Sequence, residues 1–303
     1  VCFRCVPGGG NELRQSGRKT QKVFGQMAFE KFYSEIFTER WEKLKASLAS
    51  ETLHAELSYK NCESYFLDPA SIVAALCLPV KDSEKILDLC AAPGGKTLVL
   101  AGNKNDDAVL FSNERSPSRK KRLSKVVESS LPPEISCNVK VCLSDGASWC
   151  RRVSECYESI LLDAPCSSER HVLNDKKYLE QWTPSRIKTV SMEQWALLSC
   201  AFRLLKKNGF LLYATCALCP QENDGVVSKL LKKFPDVNIA SKDFMKEIFD
   251  LNRKSIKADI FCPQDFSLED YFSFAEKTEF GFHILPDKSF GAGPLYFSLI
   301  KKS

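Results

Sequence analysis

Apolar positions along the chain keep first a helical rhythm and then an alternation of strand and helix. Phe29, Phe32, Ile36, Phe37, Trp41, Leu44 and Leu48 recur near the helical period, which predicts one amphipathic helix from Phe29 to Leu48. A second, more apolar helix is expected from Ser71 to Val80. Beyond it, short β-type runs fall at Lys85 to Asp88, Ala108 to Glu114, Val139 to Asp145, Ser159 to Asp163 and Gly209 to Cys216. Helical patterns at Pro117 to Ser129, Met192 to Leu205 and Gln221 to Phe234 occupy gaps between them. Such alternation predicts an α/β fold with a parallel, doubly wound sheet. Two late runs, Phe280 to Pro286 and Pro294 to Ile300, are joined by a link too short for a helical crossover. They are expected to pair antiparallel at the end of the sheet.

In an open parallel sheet, ligands bind beyond the carboxyl ends of the strands. Asp88, Glu114, Asp145 and Asp163 each close a β-type run, and Cys216 closes another. One aspartate at a strand end is ordinarily a cap or turn residue; four aimed at one cleft point to a site. The segment Asp88-Leu89-Cys90-Ala91-Ala92-Pro93-Gly94-Gly95-Lys96-Thr97 runs from a strand through a turn of small residues into a helix. Its Gly95-Lys96-Thr97 matches the end of a phosphate-binding P-loop, with Asp163 as a candidate magnesium ligand. The start does not match, because Cys90 stands where the first glycine belongs and Pro93 removes a backbone donor. The alternative is a ligand other than a polyphosphate, approached closely by the backbone, with Glu114 accepting from ribose hydroxyls.

Two thiols follow two strands, in Asp163-Ala164-Pro165-Cys166 and Tyr213-Ala214-Thr215-Cys216, and both are expected to face one cleft. A lone cysteine is usually a small core residue. Cys216-Ala217-Leu218-Cys219 and Cys2-Phe3-Arg4-Cys5 are also C-x-x-C pairs, but they lie far apart, and Pro220 leaves Cys216 away from a helix start, so neither a zinc nor a thioredoxin-type site is expected. Two thiols beside a carboxyl group suit methylation of an electron-poor pyrimidine carbon. A thiolate adds to carbon 6, carbon 5 then attacks a sulfonium methyl group, Asp163 stabilises charge near N3, and a second thiol removes the carbon 5 proton.

With these motifs and Glu222-Asn223 in this order, residues 65 to 302 resemble the Sun-domain (Fmu/Nop/Sun) family of RNA 5-methylcytosine methyltransferases. Gln181-Trp182, Gln194 and the Leu205 to Gly209 turn add to the likeness. The resemblance implies a class I, Rossmann-like methyltransferase fold: a seven-stranded, mostly parallel sheet with helices on both faces. It implies Cys216 as nucleophile, Cys166 as the residue that assists product release, and S-adenosyl-L-methionine as cofactor. It also implies cofactor contacts at Cys90, Ala91, Ala92, Pro93, Gly94, Gly95, Lys96, Glu114, Arg119, Asp145 and Asp163, and no metal. Glu114 replaces a frequent Asp, Ala217 a usual Ser and Asn208 a common Pro; no reacting group is lost. Glu169-Arg170-His171 and the brief N-terminal part resemble the compact mitochondrial-type members.

The implied partner is an RNA, rRNA or tRNA, met by a monomer with room for a protein partner in recognition. Alternatives are a ribosome-assembly or RNA-binding scaffold and a P-loop-like nucleotidase. The expected division is a basic, disordered tail over 1–24, a helical segment over 25–64 and the methyltransferase domain over 65–303.

Composition narrows the setting. No apolar run reaches the roughly 18 residues of a membrane span. The 14 cysteines lie largely in apolar stretches, which predicts a reducing compartment, cytoplasmic or alternatively mitochondrial. A net charge of +5 permits a polyanion without requiring one. Residues 115–125 carry Arg115, Arg119, Lys120, Lys121, Arg122 and Lys125 without an acid. Lys176, Lys177, Tyr178, Trp182, Arg186 and Lys188 mix bases with aromatics, and this stretch is expected to hold RNA, the alternative being that the two aromatics pack in the core or on the surface.

Overall fold

A computed structural model describes residues 24–303; the expected tail and the Cys2 and Cys5 pair lie outside the described residues, apart from Phe24. The N-terminal helix divides into α1 (Gln26–Phe37) and α2 (Trp41–Ala49), with a 3₁₀ turn between them and Thr38 at φ 49°. The division is a packing solution. In a straight helix Phe29 and Trp41 would stand about 18 Å apart along the axis, whereas here their ring centroids are 5.9 Å apart and Tyr33 stacks on Trp41 at 5.4 Å. The segment 25–64 is helical only in its first half. Its second half supplies β1 (Ala55–Ser58), which pairs antiparallel with β2 (Tyr65–Leu67).

Next come α3 (Pro69–Leu76), β3 (Lys85–Asp88), α4 (Gly95–Asn103), β4 (Val109–Glu114), α5 (Pro117–Ser130), α6 (Pro133–Ser136) and β5 (Val139–Leu143). The middle of the chain holds β6 (Tyr157–Asp163), α7 (Glu169–Asn174), α8 (Lys176–Glu180), α9 (Ser185–Leu204), β7 (Leu205–Thr215) and α10 (Asp224–Lys233). The remainder is β8 (Val237–Ile239), α11 (Lys242–Ser255), β9 (Asp259–Phe261), α12 (Leu268–Ser273), β10 (Glu276–Lys277), β11 (Phe282–Ile284) and β12 (Leu295–Lys302). β9 returns to β1 and completes a separate three-stranded sheet, a pairing of about 200 residues' separation that no local pattern announces.

The main sheet has nine strands in the order β10-β11-β12-β7-β6-β3-β4-β5, with β8 also on β12. Its five strands from β7 to β5 are parallel, and β11 and β12 pair antiparallel as expected. Two strands exceed the expected seven because β8 and β10 are only 3 and 2 residues long, too short to carry an alternation. Successive residues of the central strands enter opposite cores. Ile86, Leu161 and Leu212 pack with the residues of α3, α4 and α11, while Leu87, Leu162 and Tyr213 pack with α9 and α10. Both faces are therefore covered. The chain runs from β3 outward through β4 to β5 and then crosses to β6 on the other side, so the topological switch lies between β3 and β6.

A third core holds Phe29, Tyr33, Trp41, Leu44, Trp182, Ile187 and Leu218, joining α1 and α2 to the region around α7, α8 and the start of α9. Phe29, fully buried, lies 4.7 Å from Tyr33 and 5.3 Å from Trp182 between ring centroids. Phe29→Ala is expected to lower unfolding free energy by about 3–5 kcal/mol in urea titrations, whereas a loss below about 1 kcal/mol would mean that this core does not hold the N-terminal helices in place.

Candidate active site

The turn after β3 is built on buried hydrogen bonds. Asp88 is fully buried, and Thr97 of α4 donates to its Oδ2 at 2.6 Å. Burial pushes the Asp88 carboxyl up to about 7, with the Thr97 bond opposing and the Asp163 charge adding. Asp88 thus ties the strand end to the first turn of α4, and it does not line the main cleft with the other three strand-end acids. Gly94 has φ 125°, and a Cβ there would lie 2.9 Å from Val126 Cγ1, so glycine is required. Lys96 donates to Ser71 Oγ at 3.0 Å and to Asp163 Oδ2 at 2.8 Å. Burial alone would lower its pKa, but the Asp163 ion pair raises it above the ordinary value. A P-loop needs its lysine and threonine free for phosphate and magnesium. Here both bind internal carboxylates, which removes that reading.

The cleft has a volume of about 790 Å³, within the range of small-molecule sites. Leu89, Cys90, Ala92, Lys96, Glu114, Arg119, Asp145, Asp163, Cys166 and Cys216 all line it. Ala91, Pro93 and Gly95 line a recess of about 100 Å³ on the other side of the turn, and Gly94 lines neither. Glu114 is buried at the end of β4, accepting from Ser116 N at 2.9 Å, with Arg119 at 3.3 Å. Arg119 also donates to Ala92 O at 2.6 Å, pinning the turn to the acid. Asp145 follows β5 and accepts from Ala147 N at 3.1 Å. Asn113, absent from the sequence reading, donates to Leu89 O and Ser144 O at 3.0 Å each and leaves Oδ1 buried without a partner. Its signal was only an amide beside a strand-end acid.

Cys166 and Cys216 meet over the ends of β6 and β7. The Ser168 hydroxyl lies 3.3 Å from Cys166 Sγ and 3.6 Å from Cys216 Sγ. The Cys216 thiol beside it and then burial raise the Cys166 thiol well above its ordinary pKa. Beneath the thiols two fully buried glutamates clasp each other's loops. Glu169, after Cys166, accepts from Leu218 N at 2.9 Å, beyond Cys216. Glu222, beyond Cys216, accepts from Ser167 N at 2.9 Å, next to Cys166. Gln194 of α9 donates to Glu222 Oε2 at 2.9 Å and to Pro165 O at 3.0 Å. Tyr33 of α1 donates to Glu169 Oε1 at 2.5 Å, and the Ser167 hydroxyl donates to the same atom. Thr215 donates to Asn223 Oδ1 at 2.6 Å, and Asn223 donates to Ala217 O at 3.0 Å, fixing the turn that carries Cys216. Neither Tyr33 nor Ser168 has a signal in the sequence.

Other expectations divide. Trp182 is buried beside Phe29 and Phe32 and belongs to the core, so it offers RNA no ring; Tyr178 is 45% exposed and packs against His171 at 5.0 Å. Cys219, second in the C-x-x-C, is buried in the third core, and burial pushes its thiol up to about 12. In the basic stretch, Arg115 pairs with Glu193 and Arg119 with Glu114, while Lys121, Arg122 and Lys125 are exposed along α5.

A parallel sheet with this switch point and a ligand-sized cleft above it define a class I methyltransferase fold. The profile of the family described as 16S rRNA methyltransferase RsmB/F matches residues 75–275, and the chain belongs to that family. It is 33% identical over 241 residues to the mitochondrial tRNA (cytosine(34)-C(5))-methyltransferase of Danio rerio, covering 78% of this chain and 60% of that protein. It is 30% identical over 249 residues to the 5-cytosine rRNA methyltransferase NSUN4 of Xenopus tropicalis, covering 79% and 56%. It is 31% identical over 234 residues to ribosomal RNA small subunit methyltransferase F of Escherichia coli O9:H4 (strain HS), covering 76% and 47%. The matched region thus spans between 47% and 60% of the length of these relatives. Among solved structures, a methyltransferase homologue from Pyrococcus horikoshii superposes with a TM-score of 0.64 at 19% identity, covering 91% of this chain and 94% of that one. NSun6 from the same organism, crystallised with SFG, gives 0.56 at 20%, covering 80% and 54%. Both likenesses concern the fold.

Burial, and next the Glu169 charge, push Glu222 up to about 7. A raised carboxyl binds a proton in the folded state that the unfolded chain releases, so its contribution to stability falls as pH rises from the ordinary carboxyl range through about 7. Glu222→Gln is therefore expected to flatten the fall in urea-unfolding free energy between about pH 5 and 8. An unchanged slope would mean that Glu222 titrates normally.

Proposed function

We propose that the chain is an S-adenosyl-L-methionine-dependent RNA cytosine-5 methyltransferase, with rRNA or tRNA as substrate. The observation that carries this reading is the meeting of Cys166 and Cys216 at one serine, above a cleft with acids at the neighbouring strand ends. The activities by which the Danio rerio and Xenopus tropicalis relatives are named, methylation at cytosine carbon 5 in tRNA and rRNA, support it.

The cleft suits the cofactor chemically. Glu114 and Asp145 offer acceptors to hydroxyl and ammonium groups, Leu89 and Leu197 offer apolar cover for a base, and the buried Asn113 Oδ1 is an acceptor lacking a donor. Bound there, the cofactor supplies an electrophilic methyl group on a sulfonium. Cys216, as thiolate, adds to carbon 6 of the cytosine and makes carbon 5 nucleophilic. The Lys96–Asp163 pair is the charged group at hand for the N3 edge, where negative charge gathers. After transfer Cys166 takes the carbon 5 proton, the C6–S bond breaks, and Cys216 leaves as thiolate. A stacked base hides carbon 6, so the cytosine must leave its helix first.

We infer that residues 65–303 carry the chemistry and that the chain acts as a monomer, in the cytoplasm or the mitochondrion, the latter favoured by the Danio rerio relative. Among the described residues no helix is long and apolar enough to cross a membrane. A protein partner in RNA recognition belongs to the same proposal.

Cys166→Ala is expected to accumulate a covalent RNA adduct stable on denaturing gels, because the adduct forms but cannot lose its proton. Cys216→Ala should give neither adduct nor methylated product. Adduct from Cys216→Ala and none from Cys166→Ala would reverse the roles; methylation by both variants would refute the mechanism.

A further inference from the structure

Ser168 occupies the N-cap position of α7 but does not cap it. Serine at an N-cap ordinarily sits in the extended region and accepts from the helix backbone. Ser168 instead has φ 57° and ψ 59°, a left-handed conformation sparsely populated by residues other than glycine, and its side chain makes no cap hydrogen bond. Its hydroxyl is turned to the cleft, 3.3 Å from Cys166 Sγ and 3.6 Å from Cys216 Sγ, with a third contact to Cys166 O at 3.4 Å. A hydroxyl has one proton to donate and rotates to find the better acceptor. Thiolate sulfur is a far better acceptor than a thiol or thioether sulfur.

We propose that Ser168 is a positioning residue that donates its one hydrogen bond to whichever of the two sulfurs is anionic, first Cys216 and then Cys166. The inference rests on the methyltransferase reading for its purpose, though not for its geometry. Before the addition the Cys216 thiolate accepts the bond. Once that sulfur's electron pair has formed the S–C6 bond, the hydroxyl rotates to Cys166 and favours its thiolate. That thiolate then takes the carbon 5 proton, and the C6–S electron pair returns to Cys216, which regains the hydrogen bond. The proton that Cys166 gave to solvent in becoming thiolate is replaced by the one from carbon 5, so Cys166 ends as a thiol and the cycle releases one proton while exchanging one carbon-bound hydrogen for one methyl group. Other charged and titratable groups around the sulfurs come from Lys96, Asp163, Arg170 and His171 at the cleft wall and from Glu169, Glu222 and Tyr213 beneath. None of them contacts both thiols as Ser168 does.

Glycine relieves the left-handed backbone while deleting the hydroxyl, so Ser168→Gly is expected to melt no lower than the parent. The pH midpoints for iodoacetamide alkylation of Cys216 and of Cys166, followed peptide by peptide by mass spectrometry, should both rise by about one unit, a tenfold loss of thiolate at fixed pH. Ser168→Ala gives the same reading should the glycine variant fail to fold. An unchanged or lowered midpoint for either thiol overturns the proposal. The assay contains neither RNA nor methyl donor. If the parent transfers no methyl group, the functional reading fails while the alkylation result still decides the role of Ser168.

Discussion

The site depends on a reciprocal clasp between two buried carboxylates. Glu169 comes from the loop of Cys166 and binds the backbone of the Cys216 loop; Glu222 comes from the Cys216 loop and binds the backbone of the Cys166 loop. Among the described residues no buried cation pairs with either acid; amides, hydroxyls and one glutamine donate to Glu169 and to Glu222 Oε2, while Glu222 Oε1 is buried without a partner. Such an arrangement is electrostatically unfavourable: burial first, and then the Glu169 charge, raise the Glu222 carboxyl. It is tolerated because removing either acid would leave several buried donors without acceptors. Directional bonds then hold the two loops in register where apolar contacts alone would let them slide.

The clasp also explains the N-terminal helices. Tyr33 is held as a neutral phenol, its pKa raised first by burial and then by Glu169, so it remains a donor to that carboxylate. The aromatic core of Phe29, Trp41 and Trp182 fixes Tyr33, and Arg170, next to Glu169, donates to Gly291 O and Gly293 O and to carbonyls at the end of α2. α1 and α2 are in this way part of the structure around the thiols.

Much of this was legible in the sequence, for identifiable reasons. The central strands are continuous apolar runs ending in acids, because both faces are buried and the ends face a cleft, and the Cys166 and Cys216 motifs stand at two of those ends. What escaped was set by distant partners. The β1 and β9 pairing joins residues about 200 apart, the break at Thr38 follows from Trp41 folding onto Phe29, and Trp182 reads as an exposed aromatic beside lysines until α1 covers it. Asp88 looked like a ligand-facing acid because its sequence position matches that of Glu114; only the Thr97 bond distinguishes them. Ser168 could not be read at all, since its role lies in a left-handed backbone that sequence does not announce.

Whether the clasp holds Cys166 and Cys216 together is read by a reagent that fluoresces only on bridging two neighbouring thiols, such as dibromobimane. The parent should give a bridged product mapped by mass spectrometry to the Cys166 and Cys216 peptides. Glu169→Ala should lower that yield several-fold while its far-ultraviolet circular dichroism stays that of the parent. A parent that never bridges Cys166 to Cys216, or a Glu169→Ala protein that bridges them as well as the parent, would mean that the clasp does not hold the two thiols together.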